Sequence, residues 1–248
     1  MPAKIQKLFI NKKCNQNSSF LLFLWFKTIF MSKDIDNKYR FLIEYFSLTN
    51  PNAASELVYK NPFELLVSVV LSAQCTDKRV NMITPALFAA YPNPEEMSKA
   101  SVEDIYKLIY SVSYPNNKAK HLSLMSKMLV DDFNSVVPDN IDQLQKLPGV
   151  GRKSANVILS VIYKKPAMAV DTHVFRVSNR LGIVRNSKNP LETERQLVAH
   201  FPQELIAIAH HWLILHGRYV CLARKPKCES CGLTSVCDYY IKSNKTDL

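Results

Sequence analysis

Apolar positions along this chain recur at intervals of three and four residues, in short blocks divided by proline. That is the spacing of amphipathic helices. Tyr39 to Leu48 is one such block and stops before Pro51. Asn61-Pro62 reads as an N-cap followed by proline at the first helical position. Leu65 to Leu71 is then apolar almost throughout. Its valines would suit a strand, but the cap and the length of the block predict a buried helix. Ser101 opens another helix, with Ile105, Leu108, Ile109 and Val112 on one face. Pro115 is expected to end that segment, and Lys118 to Phe133 to form a further helix before Pro138. Ile141, Leu144 and Leu147 continue the helical period as far as Pro148, and Arg152 to Val161, Leu191 to Phe201 and Leu205 to Leu215 complete the set. No stretch alternates apolar and polar residues between turn signals, and neither an internal repeat nor a low-complexity linker interrupts the pattern. The predicted fold class is all-α.

Composition narrows the choice of function. A chain of 248 residues can bury a sizeable core, in one large domain or two small ones. Its five glycines are about 2% of the residues, against ~7% in an average chain. That is too few for a β-sandwich or a repeat array with glycine turns. Neither G-x-G-x-x-G nor G-x-x-x-x-G-K-[ST] occurs, which argues against Rossmann and P-loop chemistry. The formal charge of +11 points to a polyanionic partner, nucleic acid or an anionic membrane surface. No apolar run reaches the ~18 residues that a membrane span needs.

Residues 1–30 hold five lysines and no acid, with an apolar run from Phe20 to Phe26. A basic start before an apolar run resembles a signal peptide, but Lys27 interrupts it and no small-residue cleavage site follows. The expectation is that Met31 is the initiator and that residues 1–30 are an extension. Without them 27 basic residues face 21 acidic ones. The core keeps a charge of +6, and the basic argument survives in weaker form.

Two of the five glycines fall in Leu147-Pro148-Gly149-Val150-Gly151, between the helical patterns 141–147 and 152–161. Glycine there permits φ > 0 and lets a foreign backbone come close. The amides of Gly149 and Gly151, at the head of the second helix, make a ready anion site. The alternative is a plain αα-turn. The string through Arg152 and Lys153 resembles a helix-hairpin-helix, which grips a DNA phosphate without reading sequence. Lys153 lies in the first turn of that second helix, where a cation is disfavoured and a neutral, nucleophilic amine is favoured. Eighteen residues on stands Asp171, able to take a proton from the amine or to stabilise positive charge on a sugar. Without the hairpin, such a pair would read as a surface salt bridge.

Near the C-terminus, Cys221, Cys228, Cys231 and Cys237 form C-x6-C-x2-C-x5-C, with Cys14 and Cys75 far away. Such clustering points to metal and not to disulfides. Four thiolates suit zinc, but zinc sites usually pair two close C-x2-C knuckles and this pattern has one. A [4Fe–4S] cluster held by one compact loop is the better match. Arg224, Lys225 and Lys227 lie between the first two cysteines, either as a phosphate contact or as a solvated charged turn. His173, His210, His211 and His216 read as core or cleft histidines and are assigned no ligation.

The hairpin, the string Val170-Asp171-Thr172-His173-Val174-Phe175-Arg176 and the cysteine loop occur together and in order. With His210 to Arg218 and Leu71-Ser72-Ala73-Gln74, they resemble the endonuclease III family of helix-hairpin-helix, iron–sulfur DNA glycosylases and AP lyases. The similarity runs from about residue 31 to about residue 240. It implies two helical domains with DNA across the cleft between them. Residues 54–165 would be a six-helix domain carrying the hairpin; residues 31–53 with 166–248 would hold the cluster. It implies that Lys153 is the nucleophile, Asp171 the catalytic carboxylate, and Gln74 a wedge entering the duplex when a base flips out. The substrates would be double-stranded DNA carrying oxidised or ring-saturated pyrimidines or abasic sites, handled by a monomer in the cytoplasm and not at a membrane. One departure stands out. Ser113-Tyr114-Pro115 puts Tyr114 where the family carries an apolar wedge residue, which leaves the damage preference of that loop open. Two other readings remain. An adenine glycosylase of the same superfamily would generally lack a lysine at Lys153 and carry a further C-terminal domain. A non-catalytic DNA-binding module would need neither Lys153 nor Asp171.

Overall fold

The computed structural model describes residues 34–245, all of whose regular structure is helical. The expectation for residues 1–30 lies outside the described residues. The first helix, α1, covers residues 34–49. It is followed by α2 (Pro62–Leu71), α3 (Asp77–Ala90), α4 (Pro94–Lys99), α5 (Val102–Ile109), α6 (Pro115–Phe133), α7 (Ile141–Leu144) and α8 (Arg152–Val161). Then come α9 (Thr172–Leu181), α10 (Pro190–His200), α11 (Ile206–Tyr219) and α12 (Asp238–Lys245).

Asn-Pro is the recurring start signal. Asn61, Asn93 and Asn189 each accept from the amide three residues on, at 2.8–2.9 Å, with proline next in line. The side-chain oxygen satisfies one orphan amide, and proline, which has none, fits the first turn. Glu64 and Glu192 reach back to the amides of Lys60 and Lys188, the residues just before each cap. Pro115 corrects the sequence reading: it begins α6 and does not end α5, which stops at Ile109. Four helices were not predicted: α3, α4, α9 and the C-terminal α12. In α3 only Val80, Thr84 and Leu87 are buried and Pro85 lies inside, so its apolar stripe is thin. α4 has six residues. α9 is rich in polar side chains, and those turn out to have structural work.

Buried apolar residues fall into two clusters. One is drawn from residues 57–167, the other from 35–46 and 168–233. In the first, α6 packs against α4 and α5, and α2 against α8. In the second, α9 packs on α11. There α1 buries Ile35, Tyr39, Leu42 and Phe46 along one stripe. Its Tyr39 hydroxyl donates to the Ile183 carbonyl at 3.0 Å, and Phe46 stacks on Trp212 with centroids 5.7 Å apart. A single helix from the start of the described chain is thus tied to its far end.

Candidate active site

The hairpin is built by burial on both sides of its turn. Asn140 caps α7, and Leu147 and Val150 are sunk in the first cluster. The Val150 amide donates to the Leu147 carbonyl at 3.0 Å. Gly149 sits at φ +84°, where a side chain would be strained and a Cβ would press on His121 at 3.1 Å. Gly151 departs from expectation. Its backbone is extended (φ −89°, ψ 176°), so positive φ is not its reason. A Cβ there would meet nothing within 4 Å. It stands as the N-cap of α8 with no side-chain cap, which leaves the first amides of that helix open to a ligand.

Lys153 is exposed in the first turn of α8. One turn further, buried Asn156 donates from Nδ2 to the Met168 carbonyl at 3.1 Å. That bond fixes the segment 167–170 against α8, and the segment delivers Asp171 to the head of α9. Asp171 Oδ1 accepts from the amides of His173 and Val174, both at 2.8 Å, an N-cap with two donors. Lys153 and Asp171, eighteen residues apart, thereby line one cleft of about 610 Å³ with Gln74, Asp77, His173 and Arg218. Asn156 carried no local signal in the sequence, because it acts on a carbonyl twelve residues away.

Arg218 closes one side of this cleft, and a second cavity adjoins it at Lys153. Arg218, at the end of α11, pairs with Asp77 Oδ2 at 2.5 Å and with Glu56. Burial works against its charge, but the hydrogen bonds and charges of Asp77 and Glu56 outweigh it and raise its pKa. Behind Lys153 lies a smaller cavity of about 130 Å³, bounded by Ser72, Ser154, His210 and His211. Burial pushes His210 down to about 3, with His211 and Lys153 adding to the effect. It pushes His211 down to about 4. Both rings are therefore neutral near pH 7. The Nδ1 of His210 is buried without a hydrogen-bond partner.

The remaining predicted contacts divide. Gln74 is exposed on the loop between α2 and α3, at φ +54°. Arg152 does not stand free: it makes a bidentate pair with Glu194 of α10, at 2.6 to 3.2 Å, and so joins the hairpin helix to the second cluster. Arg224, Lys225 and Lys227 are exposed. Their loop is shaped by two guanidinium groups that sequence reasoning passed over. Arg176 donates to the Gly217 and Cys221 carbonyls, and Arg180 to those of Leu222 and Ala223, at 2.6 to 3.2 Å.

Cys221, Cys228, Cys231 and Cys237 are all free thiols, none of them in a disulfide. Burial pushes the Cys231 and Cys237 thiols up, and the neighbouring cysteines push the same way. The backbone at Leu233, Tyr239 and Tyr240 works against both shifts by hydrogen bonding to the sulfurs. Among the described residues, no three His, Cys, Asp or Glu side chains close on one point to hold a single metal ion. The four thiols are half-buried and close enough to act on one another's charge, and backbone amides are directed at Cys231 and Cys237, an environment that fits the ligand set of an iron–sulfur cluster. His216 Nε2 lies 3.7 Å from Cys231 Sγ, and burial pushes that ring down to about 4.

Residues 67–203 match the family model described as HhH-GPD superfamily base excision DNA repair protein. The chain is 47% identical over 210 residues to endonuclease III of Rickettsia conorii, covering 85% of this chain and 98% of that one. The chain belongs to the endonuclease III family. It is 48% identical over 198 residues to endonuclease III of Bacillus subtilis, covering 80% of this chain and 90% of that one. Its fold superposes with a TM-score of 0.80 on a trapped endonuclease III–DNA covalent intermediate, at 44% identity over 84% of this chain and 98% of that one. Like the family, it is a bifunctional DNA glycosylase and lyase of base-excision repair. No helix of the described residues is long and apolar enough to cross a membrane.

Proposed function

We propose that this enzyme removes oxidised or ring-saturated pyrimidines from double-stranded DNA and cleaves the resulting abasic site through a Schiff base on Lys153. The observation that carries this reading is the sharing of one cleft by Lys153 and Asp171. A relative trapped covalently on DNA supports the covalent route. Flipping the target base out of the stack costs roughly a few kcal/mol, less for a damaged base. The Lys153 nitrogen forms a bond to C1′ as the glycosidic bond breaks, and the base leaves with the bonding pair and takes up a proton. The sugar opens to a Schiff base, a C2′ proton is lost, and the C3′–O bond breaks to release the 3′ phosphate. Water then hydrolyses the Schiff base and frees Lys153. The Asp171 carboxylate sits beside the reacting sugar, stabilising positive charge and accepting protons.

Gln74 enters the duplex from its loop. The amides around Gly149 and Gly151, with the exposed Arg224, Lys225 and Lys227, take phosphates. Arg152 reaches a phosphate only by leaving Glu194. The two apolar clusters support a division into residues 54–165 and residues 31–53 with 166–248. Cys221, Cys228, Cys231 and Cys237 would hold a [4Fe–4S] cluster. Bound there, it would supply four iron–thiolate bonds and the folding energy that goes with them. The enzyme works as a monomer in the cytoplasm, at the nucleoid. Borohydride trapping on an abasic duplex tests the centre of this reading. Wild-type chain should form a covalent adduct. Lys153→Ala should form none while holding DNA within a few fold, since backbone amides make the phosphate grip. An adduct at full yield from Lys153→Ala would name another amine as the nucleophile.

A further inference from the structure

Two loops present exposed residues in a backbone conformation that side chains disfavour. Gln74 lies at φ +54° between α2 and α3, and Tyr114 at φ +55° between α5 and α6, the latter 63% exposed. Left-handed backbone costs such residues about 1–2 kcal/mol each, so something must hold both. A closed ring of contacts does so. The Ser113 hydroxyl donates to the Gln74 carbonyl. The Lys118 amide donates to the Tyr114 carbonyl at 3.1 Å. The Lys118 ammonium, only 5% exposed, donates to the carbonyls of Leu71 at 2.8 Å and Ala73 at 2.7 Å. Among the described residues no carboxylate pairs with this buried cation. Its charge is met by the negative, C-terminal end of α2, where the unsatisfied carbonyls of that helix need donors.

We infer that Lys118 and Ser113 are positioning residues that join Gln74 and Tyr114 into one two-pronged element, so that both enter the duplex together when a base is expelled. The inference rests on the reading of Gln74 and Tyr114 as the residues that enter the duplex. Neither Lys118 nor Ser113 touches the reacting sugar. Each reaches a carbonyl at or within three residues of Gln74. Two prongs on separate, independently moving loops would each have to find the gap. Joined from behind, the first to enter carries the second with it.

The test is a double-mutant cycle on a thymine-glycol duplex, made with Gln74→Ala, Tyr114→Ala and the double variant, first in the wild-type chain and then with Ser113→Ala. With the loops joined, the double variant should lose little more kcat than the worse single variant, so that the losses fall short of multiplying by tenfold or more. Ser113→Ala should shrink that shortfall to threefold or less. Fluorescence of 2-aminopurine opposite the lesion should then report one entry event in wild type and two in Ser113→Ala. Lys118→Met should lower kcat on the duplex about tenfold, leave KM within a few fold, and keep borohydride trapping on a single-stranded abasic oligonucleotide, which needs no flipping. Lys118→Arg should recover part of the loss. If Lys118→Met does not fold, the Ser113→Ala cycle decides alone. Losses that multiply in wild type, or a shortfall untouched by Ser113→Ala, would overturn the coupling and leave the duplex-entry reading in place. Single variants Gln74→Ala and Tyr114→Ala with full activity would instead remove that reading itself.

Discussion

The hairpin and the cysteine loop are both proposed to meet phosphates, yet they are held in opposite ways. The hairpin's shape is packed into place: Leu147 and Val150 are buried, Gly149 turns against His121, and Asn156 locks the next segment. The cysteine loop has little apolar burial of its own. It hangs from Arg176 and Arg180 by backbone carbonyls, with four thiols gathered beneath it. A surface made by a core is ready without a ligand. A surface made by cations and thiols takes its final form from what those thiols bind.

The largest expected effect is therefore on the loop. Purified protein should be brown, with about four irons per chain. Cys231→Ser should lose the colour and most of the iron. Structural metal sites contribute on the order of 10 kcal/mol in small modules, so amide exchange in residues 220–237 should rise by orders of magnitude. Exchange in the hairpin should change little. Equal loss in both regions would break the contrast, and stoichiometric zinc in anaerobically prepared protein would remove its chemical basis.

Asp171 stands at the seam between the regions, as cap of α9 and as wall of the cleft. Asp171→Asn keeps an oxygen for the cap, so its melting temperature should stay within a degree or two of wild type. Its turnover should fall by a factor of roughly 10² or more, as when a preorganised charge is removed. Asp171→Ala should lose similar turnover and also about 1 kcal/mol of stability with the cap. If Asn and Ala melt alike, the two amide bonds to Oδ1 do not support α9.

Acid should act behind the hairpin and, through His216 with its ring pKa held near 4, beside the cysteines as well. His210 and His211 have folded pKa values near 3 and 4, below the ~6.5 of an unfolded chain. Between those limits the unfolded state binds more protons, so stability falls as pH drops from 6.5 toward 4. At pH 5 the cost is about 2 kcal/mol for each ring. Denaturant midpoints at pH 7 and pH 5 measure it. His210→Phe should flatten part of the difference, and an unchanged difference would clear His210 of the effect.

The smallest effect is on the exposed face of the loop. Neutralising Arg224, Lys225 and Lys227 together should weaken binding to every DNA sequence alike. It should lower the salt slope by roughly one unit per lost contact. Weakening confined to lesion DNA would mean that this loop senses damage.

Much of this was legible along the chain because the signals are local. Asn61-Pro62, the hairpin glycines and the cysteine spacing each act within a few residues of themselves. Pro115 misled because proline both ends and begins helices, and only Tyr114's left-handed backbone, invisible in sequence, decides which. Asn156, Arg176 and Arg180 stayed hidden for another reason. Their partners are main-chain carbonyls 12 to 45 residues away, and a carbonyl has no residue type to recognise. Arg152 looked like a phosphate contact until Glu194, 42 residues on, came beside it.

The division of the two cores has a consequence for how the chain is born. The first draws on an unbroken stretch, residues 57–167; the second needs 35–46 to meet 168–233. During synthesis α1 emerges well before its partners, which follow some 120 residues later. At about 5–20 residues per second that is a wait of roughly 6 to 24 s. For that interval Ile35, Tyr39, Leu42 and Phe46 form an apolar stripe with nothing to cover it, while the nascent hairpin segment can already condense. The late closure spans most of the chain, so it is also the slow one. A chaperone that greets this protein on the ribosome has its clearest target in α1.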